Sequence, residues 1–363
     1  MKSDHRSSMS PKERVLTALA RQQPDRVPIN FAGNAGIIGR LLDHFGLPAG
    51  DTDALHEALG VDFRGISPEY TGPRLHEDPP GMRASPDWGL RTRWMQHETG
   101  GYWDWCDFPL KDATEEEVAG WPMPSPDNYD YEGAIARCEQ FTDYAVYAGG
   151  SGLVDIINAT GRLRSMEQIL VDLVTDDPAG LLLIDRMLDI EFEVTRRTLE
   201  AARGMVDFLW IGEDLGTQRA PTISLKLFRK HFRPRHQRFV DLAKSDDLPV
   251  MIHSCGSSSW AFPDFIEMGI NAVDTLQPEA KDMAPAYLKA TFGGKLAFHG
   301  CISTAGVVAF GSVEETIADV RETLEIMMPG GGYCLSPTHW LQDNSPTENV
   351  LAMYETAHKY GWY

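Results

Sequence analysis

Short apolar segments alternate with helix-period segments along most of this chain, and that alternation restricts it to a parallel sheet wrapped by helices. Candidate strands fall at 26–31, 144–149, 206–211, 249–253, 271–276, 295–300 and 332–336, with an eighth near 61–66. Helical segments are predicted at 11–22, 164–174, 178–203, 224–244, 258–268, 312–327 and 346–360. The first of these has a start signal: Ser10 as N-cap, Pro11 at the first helical position and Glu13 completing a capping box. Strand and helix in turn, at this spacing, build βαβ units and a parallel sheet. Eight strands predict an α/β fold of the (β/α)8 TIM-barrel type. An open doubly wound sheet is the alternative, and the missing G-x-G-x-x-G after the first strand counts against it.

A chain of 363 residues suits one barrel domain over 11–363, preceded by a disordered lead-in at 1–10. The alternation breaks at about 68–130, a stretch dense in Trp, Pro and Gly. Trp88 to Trp105 reads as a β-rich insertion or hairpin over the barrel mouth, followed by a Pro-rich extended connector. Its tryptophans serve either as an apolar cap under the insertion or as a wall of a ligand pocket. The net charge of −20 argues against nucleic acid and anionic membranes as partners. No window approaches the roughly 18 apolar residues of a membrane span, and the first residues lack the apolar core of a secretory signal. Five widely spaced cysteines (Cys106, Cys138, Cys255, Cys301 and Cys334) suit reduced thiols in a cytoplasm.

Chemistry concentrates at the predicted strand ends, where barrel active sites form. His253 and Cys255 in VMIHSCGSSS stand at i and i+2, on one face of an extended segment. Cys334 in GGGYCLSPTH follows a similar apolar segment. One His and two Cys suit zinc, and three protein ligands leave the fourth position open, as in catalytic sites. Glu279, Glu213 and Asp214 are carboxylates that could fill that position, Glu213 and Asp214 reading equally well as a loop turn with a helix cap. A second H-x-C pair, His299 and Cys301, ends the next strand and competes for the metal, lines the pocket or packs. Zinc with an open position favours either a thiolate nucleophile or an activated water.

The opening PKERVLTALARQQPDRVPINFAG resembles the start of the uroporphyrinogen decarboxylase superfamily. So do WIGEDLGTQRAPTISLKLFRKHFRPRHQRFVDLA, VDTLQPEAKDM and GGGYCLSPTHWLQDNSPTENVLAMYETAHKYG. The resemblance runs from about 11 to 360 and is strongest after 205. It implies a (β/α)8 barrel with the site at its open end. One branch of the superfamily is the metal-free decarboxylase, which handles a tetrapyrrole with acidic side chains. The other holds zinc-dependent corrinoid:thiol methyltransferases of the coenzyme M type, which carry zinc on an H-x-C pair and a distant Cys. That pattern falls on His253, Cys255 and Cys334, and Glu279 matches the acidic group near the metal. The decarboxylase signature R-Q-A-G-R would fall near NFAGNAGIIGR and is absent, although Arg40 follows and His339 stands where the decarboxylase has its C-terminal His. The Trp-rich middle and the GEDLGTQ loop depart from the methyltransferase pattern and look like the large set of decarboxylase-like proteins of anaerobic bacteria.

The resemblance therefore implies a zinc methyltransferase moving a methyl group between a corrinoid and a thiol or tetrahydrofolate-type acceptor. Its donor is a methylated corrinoid protein or a small methyl ether or amine. The corrinoid would sit on a separate protein, because the chain holds no D-x-H-x-x-G corrinoid-binding motif. Glu279, His339 and Asp214 would serve catalysis, and Gln218, Arg40 and Glu213 would contact substrate. The alternatives are a metal-free lyase using Asp214, His339 and Arg40, a zinc or corrinoid carrier without turnover, and a zinc hydrolase. Oligomeric state stays open, a homodimer included.

Overall fold

A computed structural model describes residues 8–97 and 100–363. Its strands are β1 (Phe63–Ile66), β2 (Arg83–Ala84), β3 (Arg91–His97), β4 (Gly100–Asp107), β5 (Ala145–Gly149), β6 (Phe208–Gly212), β7 (Val250–Ser254), β8 (Ala272–Thr275), β9 (Ala297–Ile302) and β10 (Tyr333–Pro337). Seven of them form one curled sheet in the order β1-β5-β6-β7-β8-β9-β10, and every pairing within it is parallel. Strands β6, β8, β9 and β10 are buried along their whole length. Side chains inside and helices outside cover both faces, which is why these strands read as apolar runs and not as alternating ones.

The segment predicted as the first strand closes the circle without forming a regular strand. Ile29 makes a parallel bridge with Leu335 of β10, with Asn30 N–H donating to Leu335 O (2.9 Å) and Leu335 N–H to Pro28 O (2.8 Å). On its other side, Asp62 N–H donates to Ile29 O at 2.9 Å, just before β1. Pro28 has no N–H to give, so the segment supplies a bridge where a ladder would need one donor more. It is the irregular eighth stave of a (β/α)8-type barrel.

Helices follow the predicted positions with local breaks. The segment 164–174 is the helix Met166–Thr175; a further helix, Ile156–Arg164, precedes it, and the two are separated at Ser165, whose φ is +65° and whose hydroxyl caps the second. The segment 178–203 is the helix Pro178–Ala201, started by Asp177 as N-cap and Pro178 at N1. Helices at Ala35–Phe45, Thr52–Leu59, Tyr131–Gln140 and Pro285–Phe292 add to those expected.

The insertion carries the antiparallel sheet β2-β3-β4. Arg162 from the barrel stacks over Trp105 at 4.1 Å and ties the hairpin to helix Ile156–Arg164. Trp88 and Trp121 pack against the core, whereas Trp94 and Trp105 are exposed. The tryptophans thus divide between a cap and an outer face. Gly101 and Tyr102 of β4 reach the loop after β10, where they line a groove of about 750 Å³ with His339, Trp340 and Asp343. Of the predicted lead-in, residues 1–7 lie outside the described residues, while Ser8 and Met9 are held to the fold by N–H donation to Asp25. Among the described residues, no helix is long and apolar enough to cross a membrane.

Candidate metal centre

The parallel register sets a row of polar groups inside the wall. His253 of β7 is level with Asp274 of β8, Asp274 with His299 of β9, and His299 with Cys334 of β10. Asp274 grips both imidazoles, His253 Nδ1 at Oδ2 and His299 Nδ1 at Oδ1, each at 2.5 Å. The tautomer of His299 follows from Asn30. The Asn30 Oδ1 accepts from Phe31 N–H (2.9 Å), so its amide donates to His299 Nε2 (3.0 Å), and Nδ1 is left to donate to Asp274.

The far side of His253 faces two further ligand types. Its Nε2 lies 3.4 Å from Cys255 Sγ and 3.5 Å from Asp214 Oδ1. Ligand atoms of Asp214, His253 and Cys255 all lie within 4.8 Å of one another, the one such group among the described residues. Two loops, after β6 and after β7, are pressed together to make this happen. A Cβ on Gly256 (φ +67°) would sit 2.2 Å from Gly216 O, so only glycine permits the approach. Ser257 N–H donates to Thr217 O (2.8 Å) across the same contact. Cys255 N–H (2.9 Å) and the Asn158 amide (3.1 Å) then each hold one oxygen of Asp214.

The electrostatics follow from this crowding. Burial acts against the charged form of His253, but Asp214 and Asp274 on either side raise its pKa well above the usual imidazole range. Burial likewise opposes ionisation of Asp214, yet bonding to His253 carries the net shift downward. The Cys255 thiol is pushed up by burial, with His253 pulling the other way. Both carboxylates thus favour a proton on His253, whose Nε2 faces a thiol and a carboxylate, and such a proton is what a dication would displace on binding.

The donor set fits zinc. Nitrogen, sulfur and carboxylate oxygen are its ligand types, and a tetrahedral ion with bonds of about 2.0–2.3 Å spaces neighbouring ligand atoms by roughly 3.5 Å. Three protein ligands leave a fourth position open. Asp274 on His253 Nδ1 is the outer carboxylate that orients metal-bound imidazoles. The carboxylate-and-carbonyl cages of calcium or magnesium are a poor match.

A pocket of about 460 Å³ opens beside this centre at the C-terminal ends of the strands, and His253, Asp274, His299, Tyr147, Trp210 and His339 are among its walls. Among the described residues, no Lys or Arg lines it. His253 and Cys255 come together as the H-x-C spacing predicts, and Asp214 joins them. The structure leaves Cys334 out of the group. It is the second residue of β10, buried two residues deeper than Ser336, which does line the pocket. Glu279 is exposed on the turn after β8, acts on Asp319, and is not among the walls of the pocket or the converged group. Glu213 is fully buried and accepts from the N–H groups of Ile156 (2.8 Å) and Ile157 (3.2 Å), so it caps a helix and does not line the pocket. Arg40 donates to the carbonyls of Asp343 (3.3 Å) and Ser345 (2.9 Å) and braces the loop after β10. Gln218 donates to Gln277 Oε1 (2.7 Å), which also accepts from Gly256 N–H (2.9 Å); it supports the Cys255 loop from outside the pocket. His339 stands exposed at the rim, its Nδ1 3.3 Å from the Trp340 carbonyl.

The second H-x-C pair is split. His299 faces the pocket, but Gly300 (φ +121°) and Cys301 (φ +69°), while still paired with β10, have positive φ, and the i, i+2 rule fails there. Burial and then Asp274, Asp319 and Lys289 govern Cys301, whose thiol is pushed far up. Asp274, Asn30, Asn158 and Gln277 are the site residues that pattern reading passed over. An Asp inside the apolar run NAVDTL was the signal for the first of them.

A sequence model of the uroporphyrinogen decarboxylase (URO-D) family matches residues 160–360. No curated protein sequence matches the chain. Among solved structures, a methyltransferase from Methanosarcina mazei shares the fold with a TM-score of 0.64 at 19% identity, over 97% of this chain and 99% of that one.

Proposed function

The chain belongs to the uroporphyrinogen decarboxylase family, and from that premise we propose that it is a zinc-dependent methyltransferase acting between a corrinoid carried on a separate protein and a thiol or tetrahydrofolate-type acceptor. The observation that carries this reading is the convergence of Asp214, His253 and Cys255, with Asp274 behind His253. Asp214 takes the place first expected of Cys334. When bound, zinc supplies the positive charge that lowers the pKa of an acceptor thiol and fixes its orientation. The chain's own groups prepare the site. Asp274 fixes the ring plane and tautomer of His253. Asn158 and the Cys255 amide aim the Asp214 carboxylate. Tyr147 and Trp210 give the pocket aromatic walls that limit water, and His339 at the rim contacts the acceptor. The fold shared with a methyltransferase from Methanosarcina mazei is in keeping with this reading.

Decarboxylation of a tetrapyrrole is disfavoured by the lining. A substrate with several carboxylates calls for Arg or Lys partners, and the described lining has none, with Arg40 engaged by carbonyls. The test is methyl transfer from methylcobalamin to a panel of thiols by zinc-loaded protein. Wild type should transfer, and Cys255→Ser should lose at least a hundredfold in rate. Undiminished transfer by a folded, zinc-depleted Cys255→Ser would overturn the reading.

A further inference from the structure

A second cavity, of about 340 Å³, lies against helix Pro178–Ala201 and includes Trp88, Tyr129, Ser67 and Glu191 in its lining. It shares the wall Gly149–Gly150 with the pocket at the metal centre, yet none of Asp214, His253 and Cys255 lines it. We propose that this cavity is a binding site for a small organic cation of the quaternary or alkylated ammonium class.

Glu191 is the reason. One oxygen accepts from Val154 N–H at 3.0 Å, and among the described residues no Lys, Arg or His pairs with it. Apart from Asp319, which also has no cation partner but does not line this cavity, other inward-facing carboxylates are matched by a cation or have both oxygens occupied. Asp62 has Arg14 and Arg26, Asp172 has Arg164, Asp264 has Arg229 and Arg233, and Asp274 has two histidines. Asp155 caps its helix with both oxygens on Asn158, one taking the N–H and the other the side-chain amide. Glu213, which serves as a helix cap, still has His236 at 3.8 Å. Glu191 is therefore a half-buried acid lining a cavity, with one hydrogen bond and no counter-ion among the described residues. Its charged neighbours add to the bias. Asp155 bears on Glu191, and Asp87 and Glu191 both bear on Tyr129, so the field in the cavity is negative from more than one side.

The walls suit the same ligand. Trp88 and Tyr129 are aromatic walls of the cavity, and Tyr70 packs edge-on against Tyr129 at 5.5 Å. A carboxylate with aromatic walls is the chemistry that recognises alkylated ammonium groups, which are too greasy for water and too charged for an apolar pocket. The hydroxyls of Thr195 and Thr198, which also line the cavity, are taken up by the helix carbonyls of Glu191 and Val194. Glu191, Tyr129, Ser67 and the Trp88 indole N–H are thus the side-chain polar groups left for a ligand. The volume is at the lower end of small-ligand pockets.

The experiment is calorimetric titration at pH 8 with choline and with 3,3-dimethyl-1-butanol, its neutral isostere. Wild type should bind choline saturably at one site and the isostere at least tenfold more weakly. Glu191→Gln keeps an acceptor for Val154 N–H and should weaken choline at least tenfold. Cys255→Ser should bind choline like wild type, which separates this site from the metal centre. Absence of saturable choline binding, equal binding of the isostere, or undiminished binding by Glu191→Gln would each overturn the proposal. The isostere comparison needs only wild type, so it tests the proposal even where a variant fails to fold.

Discussion

Asp274 touches two histidines with different consequences for each. On His253 it holds the nitrogen that faces away from the ligand group, and on His299 it completes a chain that runs to Asn30. Asp274→Asn should lower zinc affinity by about 10–100-fold, the usual cost of losing an outer carboxylate. Competition with a chromogenic chelator measures it, and unchanged affinity would remove Asp274 from the metal centre. His253 and Cys255 were legible because two ligands at i, i+2 need only local extended geometry. Asp214 was legible as a candidate, but its selection over Glu213 was not. Adjacent in sequence, they diverge at the end of β6. Glu213 turns inward to cap Ile156–Arg164, while Asp214 turns to the Cys255 amide. Nothing in the local pattern says which of two neighbouring acids meets a helix N-terminus from another part of the chain.

Position across the sheet bears on the difference between the expected ligand set and the group that converges. Cys334 is level with His299, Asp274 and His253, but β8 and β9 stand between β10 and β7. Adjacent strands lie roughly 4.8 Å apart. The seam of the barrel is a second property of elements. Asp62 accepts from Arg14 (2.6 Å), Arg26 (2.8 Å) and Ile29 N–H (2.8 Å), and so stitches the irregular stave to β1. Asp62→Ala leaves two buried arginines with less compensation and should cost about 3–5 kcal/mol, read from urea unfolding. A loss below about 1 kcal/mol, the scale of an exposed pair, would mean that the seam is held by packing alone. The helix 11–22 and the stave 26–31 were readable one by one. Their joint pairing with Asp62 was not, because it depends on contacts as far as 48 residues apart.

At the scale of the molecule, the alternation of strand and helix carried the barrel, since parallel strands must be covered on both faces wherever they occur. The Trp-rich insertion broke the pattern and was readable as a β-rich hairpin, but its register, such as Trp94 with Trp103, came only with the structure. The chain is strongly acidic, and Glu191 shows what that does to stability. Burial, partly offset by Val154 N–H and reinforced by Asp155, holds its carboxyl up at about 7. The folded state then binds more protons than the unfolded chain between about pH 4.5 and 7. Its stabilising share is complete below that window and is lost as pH rises through it. Glu191→Gln should therefore compare better with wild type at pH 8 than at pH 5, by on the order of 2 kcal/mol. Paired melts at the two pH values check the sign, and a difference of the opposite sign would contradict it. Choline binding should tighten from pH 6 to pH 8 for the same reason, since Asp155 and Tyr129 are the titratable groups bearing on Glu191 and neither is a cation.

The central claim is that Asp214, His253 and Cys255 form the metal centre, and elemental analysis of purified protein tests it most directly. Wild type reconstituted under reducing conditions should hold about one zinc per chain. Cys255→Ser and Asp214→Ala should lose it, and Cys334→Ser should keep it. No zinc in folded wild type, or zinc lost from a folded Cys334→Ser, would contradict the account.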